Sequence, residues 1–436
     1  MDHFTLKDGV LHAEDVALPD IADAVGTPVY VYSTATIERH VAVFKAALAN
    51  VESGPLGPLI AFAVKANPNR AVLATLAKAG LGADVVSGGE LMRARAAGIA
   101  ADRIVFSGVG KTADEMRLGL REGIFQFNVE SEPEAEMLSA VAIEMGVKAP
   151  IAFRINPNVV AGTHAKISTG GSEDKFGVAY DRAMAAYARA AKLPALDIRG
   201  IAVHIGSQLT DLAPSRAAFE KIGVMIADLR AAGHNSVTAD LGGGLGVPYD
   251  PAKPIPPLPE VYGKMVAEVT KGWKVRLVFE PGRVIVGNAG VMLTRVIRVK
   301  PGVTDPFVIV DAAMNDLMRP SLYDAWHEIR AVAPTGAKTT AHIVGPICES
   351  GDTFAKHRAM DEVQAGDLIV FLTAGAYGAT MGNTYNSRAL TPEVLVNCDK
   401  WAVVRDRQPL EALIAADKLP SWLAPKAVGT ANEETA

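Results

Sequence analysis

Leu59-Ile60-Ala61-Phe62-Ala63-Val64-Lys65-Ala66-Asn67-Pro68 carries six apolar residues into a lysine and then breaks. The apolar run reads as a buried strand, and Lys-Ala-Asn-Pro cannot continue one, so the chain delivers an amine to a strand's carboxyl end. Such a lysine has a plain reading, a snorkelling side chain on an ordinary surface. It also has a chemical one. Among apolar groups an amine is expected to lose proton affinity, and a neutral amine condenses with an aldehyde to a Schiff base.

Outward from this stretch the pattern repeats. Short apolar runs ending in a small or polar residue recur at Ile60–Val64, Ala83–Val86, Ile104–Phe106, Phe127–Val129, Ile151–Phe153, Ile201–Val203, Val237–Leu241 and Leu277–Phe279. A helical pattern at Thr34–Asn50 precedes them. Others lie between at Asn69–Gly80, Gly89–Gly98, Ala113–Gly123, Glu132–Gly146, Asp181–Lys192, Ala213–Gly233 and Pro259–Thr270, several closed by the glycine a helix C-terminus favours. Eight strand–helix units within roughly 220 residues predict an α/β fold, a (β/α)8 barrel, with an open doubly wound sheet as the other topology of the same pattern. Barrel chemistry sits at the carboxyl ends of the strands, here Lys65, Ser87, Ser107, Asn128 or Glu130, Arg154, His204, Gly242 to Gly244, and Glu280. Asn158 to Gly177, with Gly162, Gly170, Gly171, His164, Lys166 and Lys175, has no clear period and is expected to cover the barrel mouth.

The flanks read differently. Residues 4–16 alternate around Lys7-Asp8-Gly9 as a hairpin would, and Thr27–Tyr32 reads as a strand. After Val284, β-type runs appear at Val291–Val299, Pro306–Val310, Thr339–Val344, Asp367–Phe371 and Trp401–Arg405. The expected organisation is a barrel domain over 34–283 and a β-rich domain, of sandwich or barrel type, built from 1–33 with 284–423. The small, polar stretch 424–436 is expected to be a disordered tail. The 436 residues are 49% hydrophobic and 21% charged, a globular balance, and 43 basic against 48 acidic side chains give a net charge of −5. No basic field for nucleic acid or an anionic membrane is present, so the expected ligands are small solutes. Neither a secretory pattern nor a long apolar span is visible, and the two cysteines, Cys348 and Cys398, form no metal or disulfide framework. A reducing cytoplasm fits, with Cys398 read as a small buried residue.

Gly242-Gly243-Gly244 and Gly246 follow the seventh strand, where barrels frequently bind phosphate, and Gly282 with Arg283 after the eighth would complete the cradle. Glu280 puts a carboxyl group at the same mouth as Lys65. Beside a pyridine nitrogen it would keep the ring protonated, and a pyridinium is an electron sink. Its plain alternative is an ion pair with Arg154 or Arg283. His204 is either a hydrogen-bonded core residue or a ring stacked on a flat cofactor, with Ser207 bonding that cofactor's phosphate or phenolic oxygen. Amine, carboxyl group and phosphate cradle together point to pyridoxal 5'-phosphate, with no metal.

Ala63-Val64-Lys65-Ala66-Asn67, Asp84-Val85-Val86-Ser87-Gly88-Gly89-Glu90, His204-Ile205-Gly206-Ser207-Gln208, Gly242-Gly243-Gly244, Glu280-Pro281-Gly282-Arg283 and Cys348-Glu349-Ser350-Gly351-Asp352 occur in this order over nearly the whole chain. In these motifs it resembles the fold-type III pyridoxal phosphate decarboxylases, and within them the diaminopimelate decarboxylases. The resemblance implies decarboxylation of meso-2,6-diaminopimelate to L-lysine. It implies Lys65 as the cofactor's amine, Glu280 as the pyridinium partner and His204 as the stacking ring. Ser207, Gly243, Pro281 and the Gly282 and Arg283 amides would surround the phosphate. Arg283, Arg319 and Tyr323 would hold substrate carboxylate, with Glu349 at the distal ammonium and Tyr377 beside the cofactor. Cys348 would be the proton donor, and two chains would pair so that each site is shared. A related decarboxylase acting on arginine, ornithine or carboxynorspermidine would share the cofactor chemistry but has less for two arginines and Glu349 to hold. A racemase is disfavoured by Glu280, and a non-catalytic relative by the presence of both Lys65 and Cys348.

Overall fold

The computed structural model describes residues 2–160, 169, 171 and 174–423. Its centre is a closed ring of eight parallel strands: Leu59–Ala63, Gly82–Val85, Ile104–Phe106, Gln126–Val129, Ala149–Asn156, Leu196–Ala202, Thr238–Asp240 and Arg276–Phe279. The last pairs back onto the first through Val278–Leu59 and Phe279–Ile60, which excludes the open sheet. Helices Thr34–Ala47, Arg70–Lys78, Gly88–Ala96, Ala113–Glu122, Glu132–Met145, Ala183–Ala190, Ala213–Ala231 and Pro259–Val269 surround it. Local chemistry sets their ends. Ser87 accepts the Glu90 N–H, Thr112 and Glu115 form a reciprocal capping box, and left-handed Gly123 and Gly146 stop two helices.

The barrel lumen changes character along its axis. Leu59, Ala61, Val105 and Val278 form a small apolar cluster. Towards the carboxyl ends a buried polar lattice takes over: Thr238 donates to Gln126 (3.0 Å), Gln126 to Asn128 (2.9 Å), and Asn128 to Asp240 (2.9 Å). Each partner satisfies another, which is the condition for burying polar groups.

The second β-rich part is organised on the long strand Gly290–Lys300. Its first half pairs with Val29–Ser33 and Leu368–Phe371, its second half with Phe307–Val310. Lys338–Val344 and Thr353–Asp361 extend one side, Glu393–Asn397 and Lys400–Arg405 the other. Period-two alternation splits its side chains between two cores. Tyr30, Tyr32, Met292 and Phe371 join the main cluster with the barrel; Val29, Val31, Val291, Leu293, Val370 and Val394 join a second one with Phe4, Leu11, Leu18 and Ile21.

The hairpin is present as Phe4–Lys7 paired with Val10–Ala13. The helix Leu18–Val25 and the strands Ile329–Ala331, Thr353–Asp361 and Glu393–Asn397 were not expected. Cys398 is a correction: it is exposed in the turn that joins Glu393–Asn397 to the edge strand Lys400–Arg405, with φ +56°, and its N–H donates to buried Glu14 (2.6 Å). The backbone of that turn, not burial of the thiol, uses the position. The expected tail, and most of the expected cover over the mouth, lie outside the described residues.

Candidate active site

The first strand ends in a single 3₁₀ turn, Val64–Ala66, which tips Lys65 into a cavity of about 570 Å³. That turn is latched from the β-rich part: Tyr377 N–H donates to Ala66 O (2.8 Å) and Asn67 Nδ2 to Gly375 O (3.0 Å). Lys65 Nζ lies 2.6 Å from Asp84 Oδ2, on the neighbouring strand, whose side chain is wholly buried. Here the expectation of a weakened base is corrected. Burial does pull the amine's proton affinity down, but the acidic groups around it outweigh that, Asp84 foremost by charge and hydrogen bond, and the net shift is upward. In this state Lys65 is an ammonium paired to Asp84.

Glu280 ends the eighth strand, 7% exposed, and its Oε1 accepts from Ser107 Oγ (3.3 Å) and Asn128 Nδ2 (3.4 Å). Burial, then repulsion from Asp240 and Asp84, raises its pKa well above the ordinary carboxylate value and favours its protonated form. Neither ion pair considered for it forms. Arg154 pairs with Glu130 at 3.2 Å, and Arg283 turns to Tyr249 and Ser207.

His204, at the end of the sixth strand, accepts the Gly243 N–H on Nδ1 (3.2 Å). Burial, with Arg154 and Lys65 nearby, drives its pKa far down, so the ring is neutral. The glycine run after the seventh strand packs against backbone on both sides. A Cβ on Gly243 would lie 2.0 Å from Glu280 O, and one on Gly244, at φ +107°, 2.3 Å from Gly206 O. Only glycine brings these three strand ends so close.

The wall opposite is cationic. Arg283 and Arg319 are 7% and 6% exposed, and neither forms an ion pair among the described residues. Arg283 Nη1 donates to Tyr249 Oη (2.8 Å) and Nη2 to Ser207 Oγ (3.1 Å), while its buried Nε has no partner. Arg319 Nη1 donates to His327 Nε2 (2.8 Å), and His327 Nδ1 to Leu372 O (2.8 Å). Burial, with Arg319 beside it, pushes His327 down to about 3, which fits that neutral tautomer. Burial acts to raise the Tyr249 phenol, but Arg283 and Arg319 outweigh it and lower it.

Of the residues singled out in the sequence, Lys65, His204, Ser207, Glu280, Gly282, Arg283, Arg319, Tyr323 and Tyr377 line this one cavity. Gly243 and Pro281 stand directly behind it, Gly243 bonded to His204 and Pro281 O accepting from Ala63 N–H (3.1 Å). Cys348 and Glu349 are not brought there. Both are exposed, on the loop between Lys338–Val344 and Thr353–Asp361, which buried Asp352 fixes by accepting from the Met314 and Ile347 N–H groups (2.7 and 2.6 Å). Ser87 serves its helix and not the cavity. Asp84 and Asp240, inside predicted strands, and Tyr249 and His327, in loops, were missed as site residues. Asp84, which opens a quoted motif, and Asp240, two residues before the glycine run, carried only a positional signal.

The residues fit pyridoxal 5'-phosphate: one cavity holds an amine, a carboxyl group and a wall that includes Gly244 and Gly282, with Asp84 Oδ1 and Arg283 Nε buried and unbonded. Its volume falls in the range of small-molecule sites.

Residues 34–287 match the family described as "Pyridoxal-dependent decarboxylase, pyridoxal binding domain". The chain is 55% identical to a diaminopimelate decarboxylase of Zymomonas mobilis, over 96% of this chain and 99% of that one. It is 49% identical to one of Pseudomonas aeruginosa with the same coverage. Among solved structures, the diaminopimelate decarboxylase from Helicobacter pylori complexed with L-lysine superposes with a TM-score of 0.87, at 40% identity over 91% of this chain and 98% of that one. The one from M. jannaschii in co-complex with L-lysine gives 0.91, at 37% identity over 97% and 99%. With the match running through the barrel and the β-rich part alike, the chain belongs to the diaminopimelate decarboxylase family of pyridoxal-dependent decarboxylases.

Proposed function

We propose that this chain removes one carboxyl group from meso-2,6-diaminopimelate, releasing carbon dioxide and L-lysine, as a cytoplasmic homodimer at the last step of lysine synthesis. The observation that carries the reading is the arginine wall. Two buried guanidiniums that meet no acid among the described residues face the cavity that holds Lys65 and Glu280. Ornithine and arginine have a single carboxylate, the one that leaves, whereas diaminopimelate keeps a second amino-acid head that must be held at a distance. Paired guanidinium forks suit that head's carboxylate. The Helicobacter pylori and M. jannaschii relatives bind L-lysine, the expected product.

Pyridoxal phosphate, when bound, supplies the electron sink for the pair left by the departing carbon dioxide. Lys65 is the amine that would bind its aldehyde carbon. Glu280 would meet the ring nitrogen and keep it protonated, and neutral His204 would flank the ring without adding charge. Ser207, Gly243, Pro281 and the backbone amides of Gly282 and Arg283 would surround the phosphate, with Tyr377 alongside. Carbon dioxide release measured separately on meso-diaminopimelate, lysine, arginine and ornithine tests the substrate. Release from the first alone is expected; comparable kcat/KM on ornithine or arginine would replace the reading with a polyamine-pathway one.

Cys348 and Glu349 are assigned by this reading to the partner's site, the thiol returning a proton to the substrate carbon and the carboxylate meeting its distal ammonium. Their exposure on a loop held by Asp352 supports that role. In a two-fold dimer what one chain lends the other lends back. Lys65→Ala and Cys348→Ala chains, unfolded and refolded together, should therefore recover about a quarter of wild-type activity, half the dimers being mixed with one good site in two. Mixed dimers seen by mass spectrometry with no recovery would place Cys348 at its own chain's site or remove it from the chemistry.

A further inference from the structure

Arg283 and Arg319 carry like charges into one cavity, and something has to hold them apart and aim them. Tyr249 stands between them. It comes from the segment after the glycine run, where Val247-Pro248-Tyr249-Asp250 shows no pattern of its own. Its hydroxyl oxygen accepts from Arg283 Nη1 at 2.8 Å, and the Arg319 guanidinium lies 4.2 Å from its ring centroid. One residue thus meets one arginine through its oxygen and the other through its π face, at the distance of a cation–π contact. Its ring edge abuts the His327 ring at 5.4 Å and 77°, and His327 in turn holds Arg319.

A phenol accepts a guanidinium's hydrogen bond on an oxygen lone pair, which leaves its O–H available to donate. Tyr249 lines the cavity together with Arg283, Arg319 and Tyr323. We propose that Tyr249 is a specificity-determining residue: its O–H donates to the carboxylate that Arg283 and Arg319 receive, while its ring keeps the two guanidiniums at a fixed spacing. No proton changes owner; the phenol stays a phenol and gives a hydrogen bond. The inference rests on the reading of the wall as a carboxylate site. It adds a third donor, whose removal selects against ligands with a carboxylate and leaves carboxylate-free ones alone.

The test is Tyr249→Phe in the cofactor-loaded enzyme, a change that keeps the ring over Arg319 and deletes only the hydroxyl. Binding of L-lysine and of 1,5-diaminopentane, which has the same amines and no carboxylate, is followed by calorimetry, and KM and kcat are measured on meso-diaminopimelate. The lysine Kd and the diaminopimelate KM should rise by roughly ten- to a hundred-fold, as for one lost hydrogen bond to a charged group. The diaminopentane Kd, kcat and cofactor absorbance should stay close to wild type. Unchanged lysine binding overturns the proposal. So does equal weakening of lysine and diaminopentane, which marks a packing role. Wild-type enzyme that binds neither lysine nor diaminopimelate overturns the carboxylate site itself, and Tyr249's role with it.

Discussion

At the floor of the cavity Lys65 is surrounded by acids, Asp84 at 2.6 Å and Glu280 beyond, whereas on the wall Arg283 and Arg319 meet none among the described residues. The floor balances its charge within the chain. It does so with carboxyl groups that share protons and polar neighbours, down through Asp240 and Asn128. The wall is left cationic, its guanidiniums held by a phenol, a serine and a neutral imidazole. Leaving a buried cation without its acid costs on the order of several kcal/mol, so such a wall persists only where a ligand supplies the missing charge. The difference separates two tasks: the floor manages protons at the reacting end, and the wall recognises the end that does not react.

The harshest way to break this division is Lys65→Ala. Decarboxylation should fall by roughly a thousandfold or more, while contacts to the phosphate keep the cofactor bound. Borohydride reduction of wild-type enzyme should attach the cofactor to the peptide containing Lys65; attachment elsewhere removes Lys65 from the floor's chemistry. Glu280→Gln comes next. Turnover should drop by roughly a hundredfold with a smaller change in cofactor affinity, because the amide cannot hold the ring nitrogen's proton. Normal turnover with weak cofactor binding is the pattern that contradicts it. On the wall, Arg319→Ala should raise KM for diaminopimelate by roughly ten- to a hundred-fold and spare kcat. A variant that circular dichroism finds unfolded would show that Arg319 only supports its loop.

The mildest test sharpens the comparison by pH. Glu280 has its pKa raised by burial, then by Asp240 and Asp84, so its contribution to stability is fullest below the ordinary carboxylate value and is lost as pH rises through the raised one. His327 is depressed to about 3, so its contribution is full above the ordinary imidazole value and is lost as pH falls from there. In the cofactor-free chain, Glu280→Gln should flatten the alkaline side of a plot of Tm against pH, and His327→Gln the acid side. Each effect is worth roughly 1 °C per kcal/mol at this chain length, because the unfolding entropy grows with residue number. Flattening of the same side by both variants would erase the distinction between floor and wall.

The barrel was legible because its strands are short apolar runs that stop on a chemically conspicuous residue, as at Val64-Lys65 and Phe279-Glu280. Asp84 and Asp240 were not, because strands buried on both faces show no alternation, and an acid inside Ala83-Asp84-Val85 gives no sign of pointing into the lumen. That omission is why the proton affinity of Lys65 was expected to fall when it rises. Thr353–Asp361 escaped notice for a local reason. His357, at φ +47°, sits at a register shift where the strand departs from alternation. Tyr249 and His327 approach the arginines from two loops far apart in sequence, a meeting that only the folded chain displays.

The two hydrogen bonds that latch the Lys65 turn, from Tyr377 N–H to Ala66 O and from Asn67 Nδ2 to Gly375 O, also bear on modularity. A barrel excised at 283 would keep every strand of its ring but lose the backbone partners that seat its reactive amine. Swapping β-rich parts between relatives therefore exchanges more than a substrate filter, since each graft must rebuild the seat of the lysine, and the two halves are bound to diversify together.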